Sequence, residues 1–346
     1  MTFSRSEGQT FDDASADHGE EFKLEGEIFA VHVQPRVTAR RILEAAMLAP
    51  ARFRLFLRQA RRDSLVASEI SASLGYRDLN LQSSELFIGS ARDSLFILGS
   101  GSSINDLSTE NFQTVALGTS IGINVWAVHP FVPDVYSFES ASQLDGISGE
   151  VEFLEERLRR PEVLEKRPRF VLLRQRIAPG ETQIIRFPPE LREGVFVYGR
   201  VNLVTRLEKN LRRDLALAMD AFSAERMPSN VLLDNGASVV RLIILGLLQG
   251  FKEIILVGVD LDERPYFWLA ENYAFPDPQL AHFFPRRSGL PHDTLETTSR
   301  PFPVDTVILA LADIAQATFG AKVVVGSSDS LLAQQLSVFD WKKTLP

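Results

Sequence analysis

The chain has 346 residues, 45% of them hydrophobic and 24% charged, which is enough to bury the core of one large or two medium domains. It contains no cysteine, so disulfides, thiolate metal sites and a cysteine nucleophile are excluded. The net charge of -8 argues against a dedicated nucleic-acid-binding protein, and no run of about 18 apolar residues predicts a membrane span. The first residues lack the apolar stretch of a secretion signal, so we expect a cytoplasmic protein.

The first part of the chain differs in composition from the rest. Residues 1–22 are rich in Ser, Asp, Glu and Gly, which predicts a disordered tail. Residues 23–90 are predicted to form a helical extension, in which residues 36–62 hold eight arginines against one acid, Glu44. Pro50 divides this basic stretch and predicts a helix pair. The pair fits a solvated hairpin or a homo-oligomer contact, and the alternative is peripheral attachment to an anionic membrane, at the inner face if the protein is cytoplasmic.

A buried strand followed by a glycine turn is the pattern around which the remaining chain is organised. Leu95 to Leu98 are four consecutive apolar residues, typical of a parallel strand covered on both faces, and Gly99-Ser-Gly-Ser-Ser103 follows directly. Glycines let an anion approach the backbone, and amides at the next helix start would point towards it. The pattern matches neither common phosphate-loop motif, so a plain strand-to-helix turn stays an equal alternative.

Strand-like and helix-like blocks alternate from Leu95 onward, which predicts an α/β domain over residues 91–346 with a Rossmann-like, doubly wound, mostly parallel sheet. Residues 118–124 are predicted to form a loop. Residues from about 261 to 300 show no regular pattern but many aromatics, which predicts a lid over the site. Strands are predicted at 114–117, 134–139, 170–173, 195–198, 253–257 and 321–325, and helices at 150–167, 203–222, 238–249 and 304–319.

Polar residues follow several of these predicted strands. Because ligands in open α/β sheets gather at the carboxyl ends of the strands, we expect these residues to converge on one crevice. They are Gly99 to Ser103, Asn124, Glu139, Ser238 and Asp260.

One family shares the order of these motifs. In chain order they are Gly99-Ser-Gly-Ser-Ser103, Gly122-Ile-Asn124, Gly236-Ala-Ser238, the block from Gly250 to Asp260, Asn272-Tyr-Ala-Phe275, His292 and Asp329-Ser-Leu-Leu-Ala333. This ordered set resembles the bacterial sialyltransferases of glycosyltransferase family 42, over about residues 92–340. The same core is similar to the motility-associated flagellin glycosyltransferases and to the hydroxymethylpterin diphosphokinases.

The resemblance implies an inverting, metal-independent transfer of a sialic-acid-like sugar from its CMP ester to a polysaccharide or glycolipid acceptor, with no cofactor. His292 would be the general base on the acceptor, and Tyr273 would donate a hydrogen bond to the departing phosphate. The second lid tyrosine of the family aligns with Asp262, so Tyr266 is its expected replacement. The residues expected to hold the nucleotide and donor are Gly99, Ser100, Gly101, Ser102, Ser103, Asn124, Glu139, Gly236, Ser238 and Asp260.

Two other functions stay open at this point. A diphosphokinase-like transferase would use Mg²⁺ held by carboxylates such as Asp260 and Asp262. A non-catalytic partner in polysaccharide assembly is the second, because the donor-side arginine of the family has no counterpart before Gly236. His129, which precedes a proline, is predicted to be a structural turn histidine.

Overall fold

A computed structural model describes residues 22–24, 27–29, 39–87, 93–139, 150–173, 187–203, 205, 207–235, 237–283, 293–295 and 301–342. The chain forms two compact units, residues 1–51 and 52–346. In the first unit, strands β1 (Phe22–Leu24) and β2 (Glu27–Phe29) pair antiparallel. The predicted tail, apart from Phe22, lies outside the described residues. The domain boundaries after residues 22 and 90 stay predictions.

The predicted helix pair is wrong, because helix α1 (Ala39–Leu74) runs without interruption through Pro50. A proline inside a helix lacks an N–H and costs about 3 kcal/mol, but it does not force a turn. Good helix formers, mainly Ala, Leu and Arg, lie on both sides of it. Further along α1, Phe56 and Ala60 are buried in a hydrophobic core, which adds packing energy that sequence spacing alone does not reveal.

A nine-stranded sheet lies at the centre of the second unit in the described part of the chain, and all its strand pairs are parallel. The strand order is β11-β10-β4-β5-β6-β7-β8-β3, with β9 also paired to β8. The strands are β3 (Arg77–Asp78), β4 (Ser94–Leu98), β5 (Thr119–Ile123), β6 (Val135–Glu139), β7 (Arg169–Leu173), β8 (Val195–Asn202), β9 (Val231–Asp234), β10 (Glu253–Val257) and β11 (Lys322–Val325).

Helices cover both faces of the sheet, which confirms the predicted doubly wound α/β fold. Alternate residues of β4 enter different cores: Leu95 and Ile97 pack in one, Phe96 and Leu98 in the other. The first core contains residues of α5, α6 and α8, and the second contains residues of α2, α3 and α4. In the described residues, the α-helices after α1 are α2 (Thr109–Leu117), α3 (Glu150–Leu158), α4 (Pro161–Lys166), α5 (Glu208–Ser223), α6 (Ser238–Leu248), α7 (Pro278–Phe283) and α8 (Val304–Ile314).

Two predicted elements next to the glycine turn are wrong. Residues 114–117 are the end of helix α2 and not a strand, and the predicted loop at 118–124 contains strand β5. Ser108 and Asn111 explain the helix, because each side chain binds the backbone N–H of the other in a capping box. Thr119 and the two isoleucines of β5 are β-branched and favour the strand that follows.

Most other predicted elements are confirmed. The strands predicted at 95–98, 134–139, 170–173, 195–198, 253–257 and 321–325 correspond to β4, β6, β7, β8, β10 and β11. The helix predicted at 150–167 is two helices, because Pro161 starts α4 after a short break. No helix in the described residues is both long enough and apolar enough to span a bilayer.

The path of the chain produces a switch point between β4 and β10. From β4 the chain adds β5, β6, β7 and β8 in sequence towards one edge, and α6 then returns it to β10 on the other side of β4. In open α/β sheets the crevice at the carboxyl ends of such strands is where ligands bind. The fold therefore points to the turns after β4 and β10 as the place for a site.

Candidate functional site

The turns after β4 and β10 are bound to each other. The Gly99 N–H donates to the Val257 carbonyl oxygen at 2.7 Å, and the Gly101 N–H donates to the Gly258 oxygen at 2.7 Å. A Cβ atom at Gly99 would collide with the Gly258 carbonyl, and Gly258 itself has a φ of 66° that favours glycine. The glycines therefore serve first to bring two backbone segments together.

Asp260, which follows β10, holds the glycine turn after β4 in place by hydrogen bonds. Its carboxylate accepts hydrogen bonds from the Ser103 N–H at 2.9 Å and from the Ser103 hydroxyl at 2.5 Å. Burial raises the pKa of Asp260, and the two hydrogen bonds from Ser103 only partly oppose that shift. In the described part of the chain, the amide of Ser100 has no protein acceptor, so it is the donor that the turn offers to a ligand.

Arg264 neutralises the carboxylates around this turn. Its Nε lies 2.5 Å from Asp262, and its terminal nitrogens lie 3.6 Å from Asp260 and 3.4 Å from Asp329. Within the described ranges, no three His, Asp or Glu side chains are grouped so that they could hold a metal ion. The carboxylates that a Mg²⁺-dependent reaction would use are thus engaged with an arginine and a serine.

Asn124 lies at the carboxyl end of β5, next to the glycine turn on β4. Its φ of 50° is left-handed, a conformation that asparagine adopts more readily than most non-glycine residues. Its Oδ1 atom is buried and has no hydrogen-bond donor in the described part of the chain. An unpaired buried acceptor at the carboxyl edge of the sheet makes Asn124 a candidate contact for a ligand or an ordered water.

The start of helix α6 meets the end of β6. Ser238, the first residue of α6, donates its hydroxyl hydrogen to Glu139, the last residue of β6. Arg241 lies one turn further along α6 and also binds Glu139, while its Nη1 lies 2.9 Å from Asp234 Oδ1. Its Nε lies 3.2 Å from the Tyr198 hydroxyl. These contacts fix the first turn of α6 at the carboxyl edge of the sheet.

Sequence reasoning did not identify Arg241 as a site residue. The residue is only 1% exposed, so its charge must be balanced inside the protein. Burial lowers the pKa of Arg241, but Tyr198, Asp234 and Glu139 outweigh that effect and the net shift is upward, so the guanidinium stays charged. The signal in the sequence was a single charged residue in the otherwise apolar run of α6, three residues after Ser238.

The two halves of the candidate site lie two strands apart. Neighbouring strands are about 4.8 Å apart, so the glycine turn on β4 and Glu139 on β6 are separated by about 10 Å. Asn124 lies between them on β5, and Ser238 reaches this edge through Glu139. The structure thus brings the predicted residues Gly99 to Ser103, Asn124, Glu139, Ser238 and Asp260 to one edge, while Gly236 lies outside the described residues.

The first part of the predicted lid packs directly on the glycine turn. The Phe267 N–H donates to the Ser100 carbonyl at 2.9 Å, and Tyr266 forms an isolated antiparallel bridge with Gly101. Asn105 Nδ2 donates to the Phe267 carbonyl at 2.9 Å and to Asn272 Oδ1 at 3.1 Å. This part is therefore a fixed wall beside the turn. Residues 284–292 and 296–300 of the predicted lid lie outside the described residues.

Tyr273 is a buried hydroxyl next to this wall. Its ring lies 5.4 Å from that of Phe267. Its hydroxyl has no hydrogen-bond partner in the described part of the chain, and burial raises the pKa of Tyr273 to about 12. At neutral pH the side chain is therefore a neutral donor. The Tyr266 ring lies 4.7 Å from that of Trp268, tilted by 31°. His292, the predicted base, lies outside the described residues.

His129 is the structural histidine that the sequence predicted. Its ring stacks on Trp126 at 4.6 Å, and its Nδ1 accepts a hydrogen bond from the Phe131 N–H at 3.0 Å. Burial, with a smaller effect from Arg160, lowers the pKa of His129 to about 3. The imidazole therefore stays neutral and helps to shape the turn after β5.

Comparison with known proteins finds similarity only among solved structures. No family model matches the chain, and no curated protein matches its sequence. The chain is similar to the monofunctional α-2,3-sialyltransferase Cst-I from Campylobacter jejuni, with 12% identity and a TM-score of 0.39 over 74% of this chain and 84% of that one. It is also similar to the sialyltransferase CstII from the same organism, in complex with cytidine-5'-monophosphate. The identity is 12% and the TM-score 0.39, over 74% of this chain and 88% of that one.

A further structure of that second enzyme, in complex with a trisaccharide acceptor and CMP, is 12% identical with a TM-score of 0.38, over 73% of this chain and 89% of that one. These proteins carry the activity of the family that the ordered motifs resemble. Because each TM-score lies below 0.5, the similarity by itself assigns neither a family nor an activity to this chain.

Proposed function

We propose that this chain is a glycosyltransferase that moves a sialic-acid-like sugar from its CMP ester to a hydroxyl of a polysaccharide or glycolipid. The observation that carries the proposal is Asn124, whose buried Oδ1 is unpaired between the glycine turn and the start of α6. An acceptor in this position needs a donor from the ligand. Cytosine presents an amino group that can donate to the Asn124 Oδ1 as it is placed here, so the unpaired oxygen suits a cytidine nucleotide.

The surrounding groups suit the departure of a nucleotide phosphate. The free amide of Ser100 and the N-terminal end of α6 offer oriented partial positive charge, which stabilises an anion as the bond to the sugar breaks. The neutral Tyr273 hydroxyl is a further donor, and burial keeps its proton in place. No step of this transfer requires a metal, and His292 supplies the base that the acceptor hydroxyl needs near neutral pH.

A nucleotide titration tests the proposal directly. We expect CMP to raise the unfolding temperature and UMP, GDP and ATP to raise it much less, since a ligand stabilises only the state that binds it. Calorimetric titration then compares variants at two positions, Asn124, which follows β5, and Thr119, which begins it. Asn124→Gly keeps the left-handed backbone and removes the acceptor. We expect the Kd for CMP to rise about tenfold, which corresponds to a loss of about 1.4 kcal/mol of binding free energy.

Thr119→Val is the matched control for Asn124→Gly. Thr119 also has a buried, unpaired side-chain oxygen, but it lies at the amino end of the same strand, far from the switch point. CMP affinity should not change in this variant. Equal losses in both variants, or a preference for UMP over CMP, would refute the role of Asn124.

Transfer assays with a CMP-sugar donor separate the reaction classes. Activity that persists in EDTA supports the proposed transfer, whereas activity lost in EDTA and restored by Mg²⁺ supports the diphosphokinase-like alternative with Asp260 and Asp262. If no nucleotide binds at all, the chain is a non-catalytic partner and the proposal fails.

A further inference from the structure

One exposed face of helix α1 combines positive charge with apolar side chains. On the opposite face, Phe56, Ala60 and Ala67 are buried in the two cores of the second unit. The exposed face lies at positions that a helix places together, separated by three, four, seven and eleven residues. We call it the arginine stripe, and it consists of Arg54, Leu55, Arg58, Arg61, Arg62 and Leu65.

The arginines of the stripe are unusual in having no partner. In the part of the chain that the structure describes, none of the four pairs with a carboxylate or donates a hydrogen bond. Other exposed arginines differ, since Arg77 pairs with Glu85 and Arg226 with Asp220. The stripe itself contains no acid, although the whole chain has a net charge of -8. Four unpaired guanidinium groups over about 12 Å of helix form a surface that attracts phosphate groups.

Two leucines lie among these arginines. Leu65 is 67% exposed, the highest value among the exposed large hydrophobic residues of the described chain, and Leu55 is 39% exposed. Neither leucine is covered by the arginines beside it. A helix face with guanidinium groups for phosphates and leucines for the acyl boundary has the chemistry of an interfacial membrane helix.

We propose that the arginine stripe docks this protein on an anionic phospholipid surface. The helix would lie flat, with Leu55 and Leu65 between the headgroups and the four arginines on the phosphates. Each arginine near such a surface raises the affinity by about fivefold, and added salt weakens the attraction. The stripe shares no residue with the candidate nucleotide site, so this proposal does not depend on the proposed function.

Flotation with lipid vesicles tests the docking surface in the full chain. We expect binding to vesicles of phosphatidylglycerol mixed with phosphatidylcholine, little binding to phosphatidylcholine alone, and release at high salt. Arg58→Gln with Arg62→Gln should weaken binding by about 25-fold. Lys209→Gln with Lys322→Gln is the control, since it removes the same charge from exposed positions elsewhere and should change binding little.

Leu65→Ser tests the apolar half of the surface and should weaken vesicle binding without a change in net charge. Its exposed position makes the substitution harmless to the fold. Equal binding to neutral and anionic vesicles, or equal losses in the two charge variants, would overturn the proposal. Self-association that disappears in the arginine variant, without any vesicle binding, would assign the stripe to a second copy of the chain instead. CMP titration of the same variants should be unaffected.

Discussion

Replacing Arg241 with glutamine should cost far more stability than removing an arginine from the surface. In the wild type its side chain is 2% exposed, and its guanidinium lies 2.9 Å from Asp234 and also binds Glu139. Arg241→Gln leaves two carboxylates at the end of the sheet with less compensation. Breaking a buried pair by removing one partner costs about 3–5 kcal/mol. Arg200, at 3.2 Å from Asp234, remains as a partial substitute, so we expect a value near the lower end, about 3 kcal/mol.

Urea unfolding of Arg241→Gln and Arg212→Gln measures this difference. Arg212 pairs with Asp313 on the surface, where its side chain is 68% exposed, and such pairs contribute about 0–1 kcal/mol. Both variants lose one positive charge, so a general effect of net charge cancels. If Arg241→Gln loses as little as Arg212→Gln, the buried network at the start of α6 does not exist as described.

Three further predictions concern single side chains. Because burial lowers the pKa of His129 to about 3, the folded state binds fewer protons than the unfolded state below about pH 6.5. The free energy of unfolding should therefore fall by about 2 kcal/mol between about pH 6.5 and 5. His129→Asn should remove most of this pH dependence, and His282→Asn, at an exposed position, should not. Tyr273→Phe removes an unpaired buried hydroxyl, so thermal unfolding should show equal or greater stability while CMP-sugar turnover falls at least tenfold; unchanged turnover would exclude Tyr273 from phosphate stabilisation. His292→Ala should keep CMP affinity in calorimetry and abolish transfer, and unchanged turnover would remove it from the reaction.

The central fold was predictable because its strands are buried on both faces. β4 and β10 each contain four consecutive apolar residues followed by a glycine, 95–98 and 254–257, and a strand buried on both faces explains such a run. Strand β5 was not predicted, because its five residues include a serine and a glycine. It lies between β4 and β6, and this position in the sheet cannot be inferred from its own residues. The helix through Pro50 was missed because a proline is a probable, not a certain, helix boundary.

The candidate site was predictable as a set of strand ends and not as a set of contacts. The chain order shows which strand each polar residue follows. It does not show which residue each of them binds. Asp260 was expected to face the donor, yet it binds Ser103, which lies 157 residues away in the sequence. Arg241 binds Glu139 across 102 residues, so its role appears only when α6 is placed on the sheet. Long-range pairing of this kind leaves no local pattern to read.

A crystal structure with CMP bound tests the account most directly. We predict that the nucleotide lies at the carboxyl edge between Gly99–Ser103 and the start of α6, with the cytosine amino group within hydrogen-bond distance of Asn124 Oδ1. CMP found at another edge of the sheet, or a space beyond the carboxyl ends of β4, β5 and β6 that side chains fill while Asn124 stays unpaired, would contradict it.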